Sequence, residues 1–418
     1  MRLAVVGSGP AAFYCIQRLI KKAKFPIHID MFERHPLPFG LACMSKFIEI
    51  GKSLKNFYGN VLIGDLRKPL SHQTHIPLKR LCERYNSILL ASGATGANKL
   101  HIHGSEHIVT SVDFVALYNT EPNDKNNVEL IQKISKIKHV TIIGNGNVAL
   151  DIARMLLKPK SELENTDINK GFLENLSNSI NTVLIIGRKS IYDVQFTAKE
   201  IREITNINDV QIKLNKREIY PEPSVLSKSK KRVVDLLLSS ASDASNIKKK
   251  TLEFKFMRVP KCVHKMNEHL TMSVGKYRNQ NDILVPSGEH EHIETDLIIS
   301  SIGYAQENID TLIENSKITH PTGKLLTNDS HCMLYSAGWA KRGPSGVLAS
   351  TMMDANITAD AILEDMDKQL DHESKHDMLP INNYVNWESA IRIHRKEIEN
   401  GAKYSRSEIL SLANTINI

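Results

Sequence analysis

The sequence predicts an α/β chain with two Rossmann-like modules. Three observations predict it. Leu3–Val6 is an apolar, β-prone run ending in Gly7-Ser8-Gly9-Pro10-Ala11-Ala12; a helical stretch, a second β-prone run at Ile27–Phe32 and Glu33 follow. A second start of the same kind stands at His139–Ile143. It leads into Gly144-Asn145-Gly146-Asn147 and a helical stretch through Leu157. A late segment, 331–360, returns to glycine-rich sequence. Two starts without a third mean two modules rather than a solenoid.

Composition agrees. The 418 residues leave room for two or three domains, and 24% charged with 41% hydrophobic residues is ordinary for a globular chain. Collagen, a long coiled coil and wholesale disorder are excluded. No stretch approaches the ~18 uninterrupted apolar residues of a membrane span. The net charge of +8 admits an anionic partner without choosing one. The five cysteines (Cys15, Cys43, Cys82, Cys262 and Cys332) form no CxxC pair, so neither a disulfide framework nor a zinc site is expected. No metal site is read anywhere in the chain. Arg2–Val6 already reads as a strand, which leaves no visible signal or transit peptide.

The first start carries the chemistry of a dinucleotide site. Gly7 and Gly9 let backbone approach a pyrophosphate, Pro10 and Ala11 open the helix, and helix N-terminal amides favour the phosphate charge. Glu33, at the end of the second strand, can accept hydrogen bonds from ribose hydroxyls. Without strand, helix and acid around it, the glycine pattern would be an ordinary turn.

The second start has Gly144, Asn145, Gly146, Asn147 and Val148 in the same roles. The strand Thr182–Ile186 that follows ends in Gly187-Arg188-Lys189, with no acid. Cations there attract a 2′-phosphate that a carboxylate would repel, so NADP is favoured over NAD. The plain alternative is two exposed charges after a strand.

The third segment is Gly338-Trp339-Ala340-Lys341-Arg342-Gly343-Pro344-Ser345-Gly346-Val347. Alone it reads better as a loop with a core tryptophan. A first nucleotide site, an inserted second and a late return segment is, however, a common plan of flavin-dependent reductases.

These residues carry a specific resemblance. VVGSGPAAFY (5–14), FERHPLPFGL (32–41), IIGNGNVALDIARMLL (142–157), FTAKEIRE (196–203), SSIGY (300–304) and GWAKRGPSGVLASTM (338–352) resemble the adrenodoxin reductase family, flavoproteins that oxidise NADPH and reduce ferredoxin. The likeness covers nearly the whole chain. It implies an FAD domain in two pieces, 1–107 and 331–418, with an NADP domain, 108–330, inserted between them. Ala11, Glu33, Leu41, Ile63, Trp339, Gly346, Val347 and Leu348 would contact FAD. Asn145, Gly146, Asn147, Val148, Arg188, Lys189 and Glu200 would contact NADP, with Asp151 and Glu200 as positioning groups near the nicotinamide. Where the family has two arginines this chain has Arg188-Lys189, which keeps charge but loses one planar fork.

The resemblance also implies a partner. The family docks an acidic iron–sulfur ferredoxin on basic residues, and Lys230, Lys231 and Arg232 stand before the apolar run Val233–Leu238 at the matching place. A solvated helix end is the plain alternative. No nucleic-acid module accompanies the charge. The protein is read as a monomer, in the mitochondrial matrix or a related organelle, or in the cytoplasm of a bacterium, serving iron–sulfur cluster assembly or a cytochrome P450. After Leu41 the chain departs from the family. A segment of the type Val-Arg-x-Gly-Val-Ala-Pro-Asp-His is absent, and Ala42-Cys43-Met44-Ser45 stands in its place. That departure motivates a second reading, a nucleotide-binding scaffold without turnover. A flavin disulfide reductase is disfavoured because it needs a cysteine pair.

Overall fold

The computed structural model describes residues 1–39, 45–66, 69–70, 72–94, 96–119, 125–166, 168–176, 178–216, 219, 226–241, 248–267, 269–280, 283–305, 308–313, 318–319, 321–326, 332–344, 348–368, 380–400, 404 and 406–416. The chain divides into two compact units. The first comprises Met1–Gly96, Tyr304–Asn400 and Tyr404–Ile418; the second is Ala97–Gly303. The divisions fall at 96/97 and 303/304 rather than near 107 and 330. The reason is strand pairing: Ile318–Thr319 and Lys324–Leu325 add to the sheet of the first unit, while Ile108–Thr110 and Leu297–Ser300 belong to that of the second.

In the first unit Arg2–Val6 lies between His28–Glu33 and Ser87–Leu90, parallel to both. Asn56–Gly59 extends the sheet on one side and Met333–Ser336 on the other, and two short antiparallel strands finish that edge. Strand order therefore reverses at Arg2–Val6. In open parallel sheets ligands bind at the carboxyl ends of the strands flanking such a reversal, which here is where Gly7 stands. The run Leu3–Val6 is apolar throughout because both its faces are covered. Leu3 and Val5 pack with Phe13, Ile16, Leu19 and Leu89, whereas Ala4 and Val6 pack with Phe32, Tyr58, Ile88 and Leu90.

Helix Pro10–Lys22 begins with proline at its first position, where a missing N–H costs nothing. It packs against Leu348–Asp367, and Arg18 forms a two-pronged hydrogen-bonded ion pair with Asp360 at 2.9 and 2.8 Å. The fully buried Phe13 ring stacks on Phe47 at 4.8 Å and tilts against Trp387 at 6.2 Å. In the polar tail Trp387–Asn400 and Arg406–Ile416 are helices.

The second unit repeats the plan. His139–Ile143 lies parallel between Thr182–Gly187 and Leu297–Ser300. Lys250–Phe256 and Val210–Leu214 extend one side, and Ile108–Thr110 the other. The order reverses at the second glycine turn. Residues 204–295, which look irregular in sequence, contain helix Lys228–Ser240 and a three-stranded antiparallel sheet of Arg258–Met266, His269–Gln280 and Ile283–Thr295. One face of that sheet is covered: Val263, Leu270, Met272, Val274 and Ile293 pack on Ile143, Leu184, Ile186 and Ile298. The other face is wet, so charges and histidines interrupt the apolar run and hide the strands from a simple reading.

Arg258 and Glu291 join two of these strands. The Arg258 side chain is 5% exposed and its Nε donates to Glu291 Oε1 at 2.8 Å. Burial alone would raise the Glu291 carboxyl, but the hydrogen bond from Arg258 and the charges of Lys255 and Arg258 outweigh it and hold the group below its usual range. A depressed carboxyl stabilises the fold above its unfolded value of about 4.3 and loses that contribution as pH falls through the folded value. The stability difference between the parent and Glu291→Gln, measured by denaturant titration, will therefore be largest near neutral pH and shrink below about pH 4. A difference that grows on acidification would contradict this pairing. Separately, Phe13→Ala will cost the first unit about 3–5 kcal/mol, read from its denaturation midpoint.

Candidate nucleotide sites

Strand Arg2–Val6 turns into helix Pro10–Lys22 through Gly7, Ser8 and Gly9. Gly7 has φ +99°, and a Cβ there would overlap the Ala91 carbonyl. Only glycine meets both demands. Gly9 caps the helix without a side-chain hydrogen bond, so the first-turn amides have no side-chain acceptor at the cap. Glu33 is 6% exposed. Its Oε2 accepts from Ser8 N at 2.9 Å and Ser8 Oγ at 2.7 Å, and its Oε1 accepts from His35 N at 2.9 Å. Glu33 thus braces the turn, and Oε1 retains capacity for one further donor.

The return segment reaches the same turn. A Cβ on Gly338 would overlap that of Ala11, so Gly338 lies on the first turn of the helix. Gly338 N donates to Asp354 Oδ2 at 2.7 Å, and Asp354 Oδ1 pairs with Lys341 Nζ at 2.6 Å. The side chains of this pair are 2% and 7% exposed. Lys341 also donates to Pro321 O at 2.7 Å. Trp339 is half-buried, and its ring lies 5.9 Å from that of Tyr304. Ile63 is 4% exposed and packs in the core with Phe32 and Ile76, while Leu348, at the start of its helix, is 43% exposed. Leu41, Gly346 and Val347, and the departure after Leu41, lie outside the described residues. Just before that point Phe39 holds a left-handed φ of +88°, offset by its N–H donating to Ser8 O at 3.1 Å and Ser8 Oγ at 3.2 Å.

In the second unit Gly144 has φ +131°, and a Cβ there would overlap the Ser301 carbonyl. Gly146 caps helix Asn147–Leu157, again without a side-chain bond. The segment 195–197 is tied to the turn: Gln195 N donates to Asn145 O at 3.0 Å and Thr197 N to Asn147 Oδ1 at 2.9 Å. Thr197 caps helix Ala198–Thr205, which places Glu200 one turn further on. Val148 packs at the margin of the core, and Arg188 and Lys189 are exposed at the end of their strand.

Buried polar atoms without partners gather here. Among the described residues six such side-chain atoms occur, and four of them belong to Asn145, Glu200 and Ser300. Native proteins pair nearly all such atoms, so this concentration fits a site that a polar ligand completes. Sequence reading singled out Asn145 and Glu200 but missed Ser300. Its only signal was its place at the end of the strand beside the turn. Asp151 differs: Oδ2 accepts from Tyr118 OH at 3.1 Å and Oδ1 pairs with Arg154, so its carboxylate is already held within the unit.

Lys230, Lys231 and Arg232 lie in the first turns of helix Lys228–Ser240, capped by Ser227 Oγ accepting from Lys230 N at 3.4 Å. All three are exposed, while Val233, Val234 and Leu237 anchor the helix. Lys228, Lys230 and Arg232 rim a cleft of about 590 Å³ floored by Ile191, Val194 and Phe196.

The chain is similar to known proteins. Residues 1–238 match the family model of pyridine nucleotide-disulphide oxidoreductases. The mitochondrial NADPH:adrenodoxin oxidoreductase of Salvelinus fontinalis is 31% identical over 88% of this chain and 78% of its own length. A probable NADPH:adrenodoxin oxidoreductase of Schizosaccharomyces pombe is 30% identical over 96% and 92%. The structure of Mycobacterium tuberculosis FprA in complex with NADPH superposes with a TM-score of 0.85 at 25% identity, covering 99% of each chain.

The Asp354 contacts carry a measurable consequence. Asp354→Ala leaves the Lys341 ammonium buried without its counter-ion and will cost the first unit about 3–5 kcal/mol in denaturant unfolding. A loss below about 1 kcal/mol, the size of an exposed pair, would show that the pair does not hold the return segment.

Proposed function

The chain belongs to the NADPH:adrenodoxin oxidoreductase family of the pyridine nucleotide-disulphide oxidoreductases, and from that premise we propose that it is an FAD-dependent NADPH:ferredoxin oxidoreductase. The observation that carries this reading is a contrast between two otherwise equivalent turns. The strand beside the first ends in a buried carboxylate, Glu33, and the strand beside the second ends in Gly187, followed at once by two exposed cations, Arg188 and Lys189. A carboxylate suits a ribose with free hydroxyls, and cations suit a ribose bearing a 2′-phosphate.

The residues fit both groups. Gly7, Gly9, Pro10 and Ala11 would set the FAD pyrophosphate on the amides of helix Pro10–Lys22, and Glu33 Oε1 would accept from its ribose. Trp339 would lie along the flavin side of the return segment. Ile63, Leu41, Gly346, Val347 and Leu348 complete the proposed FAD contacts. Gly144, Asn145, Gly146, Asn147 and Val148 would seat the NADP pyrophosphate on helix Asn147–Leu157, and Arg188 and Lys189 its 2′-phosphate. Asp151 and Glu200 are proposed as positioning groups near the nicotinamide. The unpartnered Oε2 of Glu200 favours that residue, since Asp151 is already engaged. When bound, the flavin supplies the exchange between hydride transfer from NADPH and single-electron transfer to an iron–sulfur protein. The chain's own work is to bind, orient and brace: Glu33 holds Ser8, and Asp354 holds Gly338.

The cluster Lys230, Lys231 and Arg232 is proposed to receive an acidic ferredoxin. Mitochondrial names among the relatives support a mitochondrial location, and we place the protein in the matrix as a monomer. No helix among the described residues is long and apolar enough to cross a membrane. A disulfide-reducing role is disfavoured by the lack of a CxxC pair; among the described residues Cys15, Cys82 and Cys332 are buried and Cys262 is half-buried, and burial together with the Asp354 and Asp360 charges pushes the Cys15 thiol up, away from the reactive thiolate.

The decisive test is anaerobic addition of NADPH to the purified, FAD-loaded protein. Bleaching of the flavin absorption band supports the reading, and an unchanged spectrum overturns it. Turnover, followed as cytochrome c reduction, should require added ferredoxin and fall with rising salt. Lys231→Glu with Arg232→Glu should raise the KM for ferredoxin at least about tenfold while leaving flavin bleaching by NADPH unchanged.

A further inference from the structure

One residue of the first unit is held in a backbone conformation that its type rarely adopts. Phe39 has φ +88° and is 2% exposed. A bulky residue at positive φ is strained, and such strain persists only where the surroundings over-determine it. Two sets of contacts do so here. On one side the Phe39 N–H donates to Ser8 O at 3.1 Å and to Ser8 Oγ at 3.2 Å. On the other, the Phe39 ring meets Trp387 edge-on at 6.0 Å, His394 at 5.6 Å and Phe13 at 5.6 Å. Trp387 and His394 both stand on helix Trp387–Asn400, far along the chain.

That helix is itself pinned to the sheet. Val385, just before it, exchanges backbone hydrogen bonds with Gly59 at 2.9 and 3.0 Å. Gly59 is the register partner of Glu33. Asn386 Oδ1 accepts from Ser389 N at 2.9 Å and so caps the helix. The Trp387 indole lies on the α-carbon of Gly51, where a Cβ would overlap its ring, and meets Phe57 edge-on at 5.5 Å. Close packing on these sides keeps the indole against Phe39.

Ser8 carries the constraint onward. It is fully buried, and its N and Oγ donate to Glu33 Oε2 at 2.9 and 2.7 Å. With its hydroxyl proton given to Glu33, Ser8 Oγ keeps lone pairs for Phe39 N, so a single hydroxyl fixes both neighbours. The contacts thus run from Trp387 through Phe39 and Ser8 to the carboxylate at the strand end, all within the first unit.

We propose that Trp387 is a positioning residue for FAD: by holding Phe39 against Ser8 it fixes the Glu33 carboxylate that would receive the adenosine ribose. The inference rests on the reading of the first unit as the FAD site. It gives the C-terminal helix a part in cofactor retention beyond covering the core. The edge-on ring contacts transmit the constraint, because an aliphatic side chain fills volume without the directional preference of an aromatic pair.

The test uses the full-length holoenzyme. The FAD Kd is read from the fluorescence of flavin released on dilution, and stability from denaturant unfolding of the same samples. Trp387→Leu should raise the FAD Kd at least about tenfold, while Trp387→Phe stays within about threefold of the parent. Met366→Ala is the control for lost packing alone, since Met366 is fully buried and lies about 18 Å along helix Leu348–Asp367 from Asp354. It should destabilise the unit while leaving the FAD Kd within about threefold. A double-mutant cycle reads the route. Ser8→Ala removes the hydroxyl that joins Phe39 to Glu33, so in that background Trp387→Leu should raise the Kd by less than about a third of its factor in the parent. His394→Ala, which takes the other tail ring from Phe39, is the second variant should Trp387→Leu not fold; it should raise the Kd at least about threefold and show the same dependence on Ser8. Independent effects in the cycle, or equal changes in FAD Kd for the tail variants and Met366→Ala, overturn the role of Trp387 while leaving the FAD reading intact. A parent enzyme that binds no FAD overturns both.

Discussion

Each unit is organised by a peptide carbonyl packed against a glycine α-carbon. In the first it is the Ala91 carbonyl on Gly7, in the second the Ser301 carbonyl on Gly144. Both carbonyls belong to the residue immediately after the strand on the far side of the reversal in strand order, Ser87–Leu90 in one unit and Leu297–Ser300 in the other. The backbones therefore touch at the point where the crevice opens. One methyl group on either glycine would separate them, and φ values of +99° and +131° would be strained for any other residue. With the contact made, the chain can leave the strand and enter a helix whose capping glycine, Gly9 or Gly146, makes no side-chain hydrogen bond. Each turn thus opens a helix whose N-terminal amides meet no side-chain acceptor at the cap.

The two turns differ in how completely they are closed from within. Around the first, Glu33 ties to Ser8 and His35, Phe39 ties to Ser8, and Asp354 with Lys341 clamps Gly338 against Ala11. Most of these groups are buried and hydrogen-bonded, which rigidifies the turn, although His35 is exposed and the Arg342 Nε beside Asp354 is buried without a hydrogen bond. Around the second, the ties run through backbone and Asn147, while Asn145, Glu200 and Ser300 keep unmet polar atoms. That difference suits the two jobs of the reading above. A resident cofactor needs a braced seat, and a dinucleotide that arrives and leaves can itself complete the hydrogen bonding.

Much of this was legible in the residues. Both strand–turn–helix starts form where the sequence puts them, with Glu33 at a strand end, Arg188 and Lys189 just after one and Gly338 against Ala11, because glycine spacing and apolar runs are local signals. Helix Lys228–Ser240 was visible as basic residues before Val233–Leu238. The antiparallel sheet of residues 258–295 was not, because its wet face carries Lys261, His264, His290 and His292 and breaks the apolar pattern. Nothing local marked Trp387. Its packing against Phe13, Phe39 and Phe57 joins positions far apart in the chain.

By itself the sequence determined the two Rossmann-like units, their order along the chain and the opposite charges at the strand ends beside their glycine turns. Those follow from patterns within a few tens of residues, where backbone geometry and side-chain chemistry are local. Only the tertiary structure decided what each charge does. It buried Glu33 as a brace for Ser8, engaged Asp151 with Tyr118 and Arg154, paired Lys341 with Asp354, and set the Asn145 amide unpaired on Gly187. Whether a polar atom is satisfied depends on neighbours that the chain brings from elsewhere, and no local pattern records them.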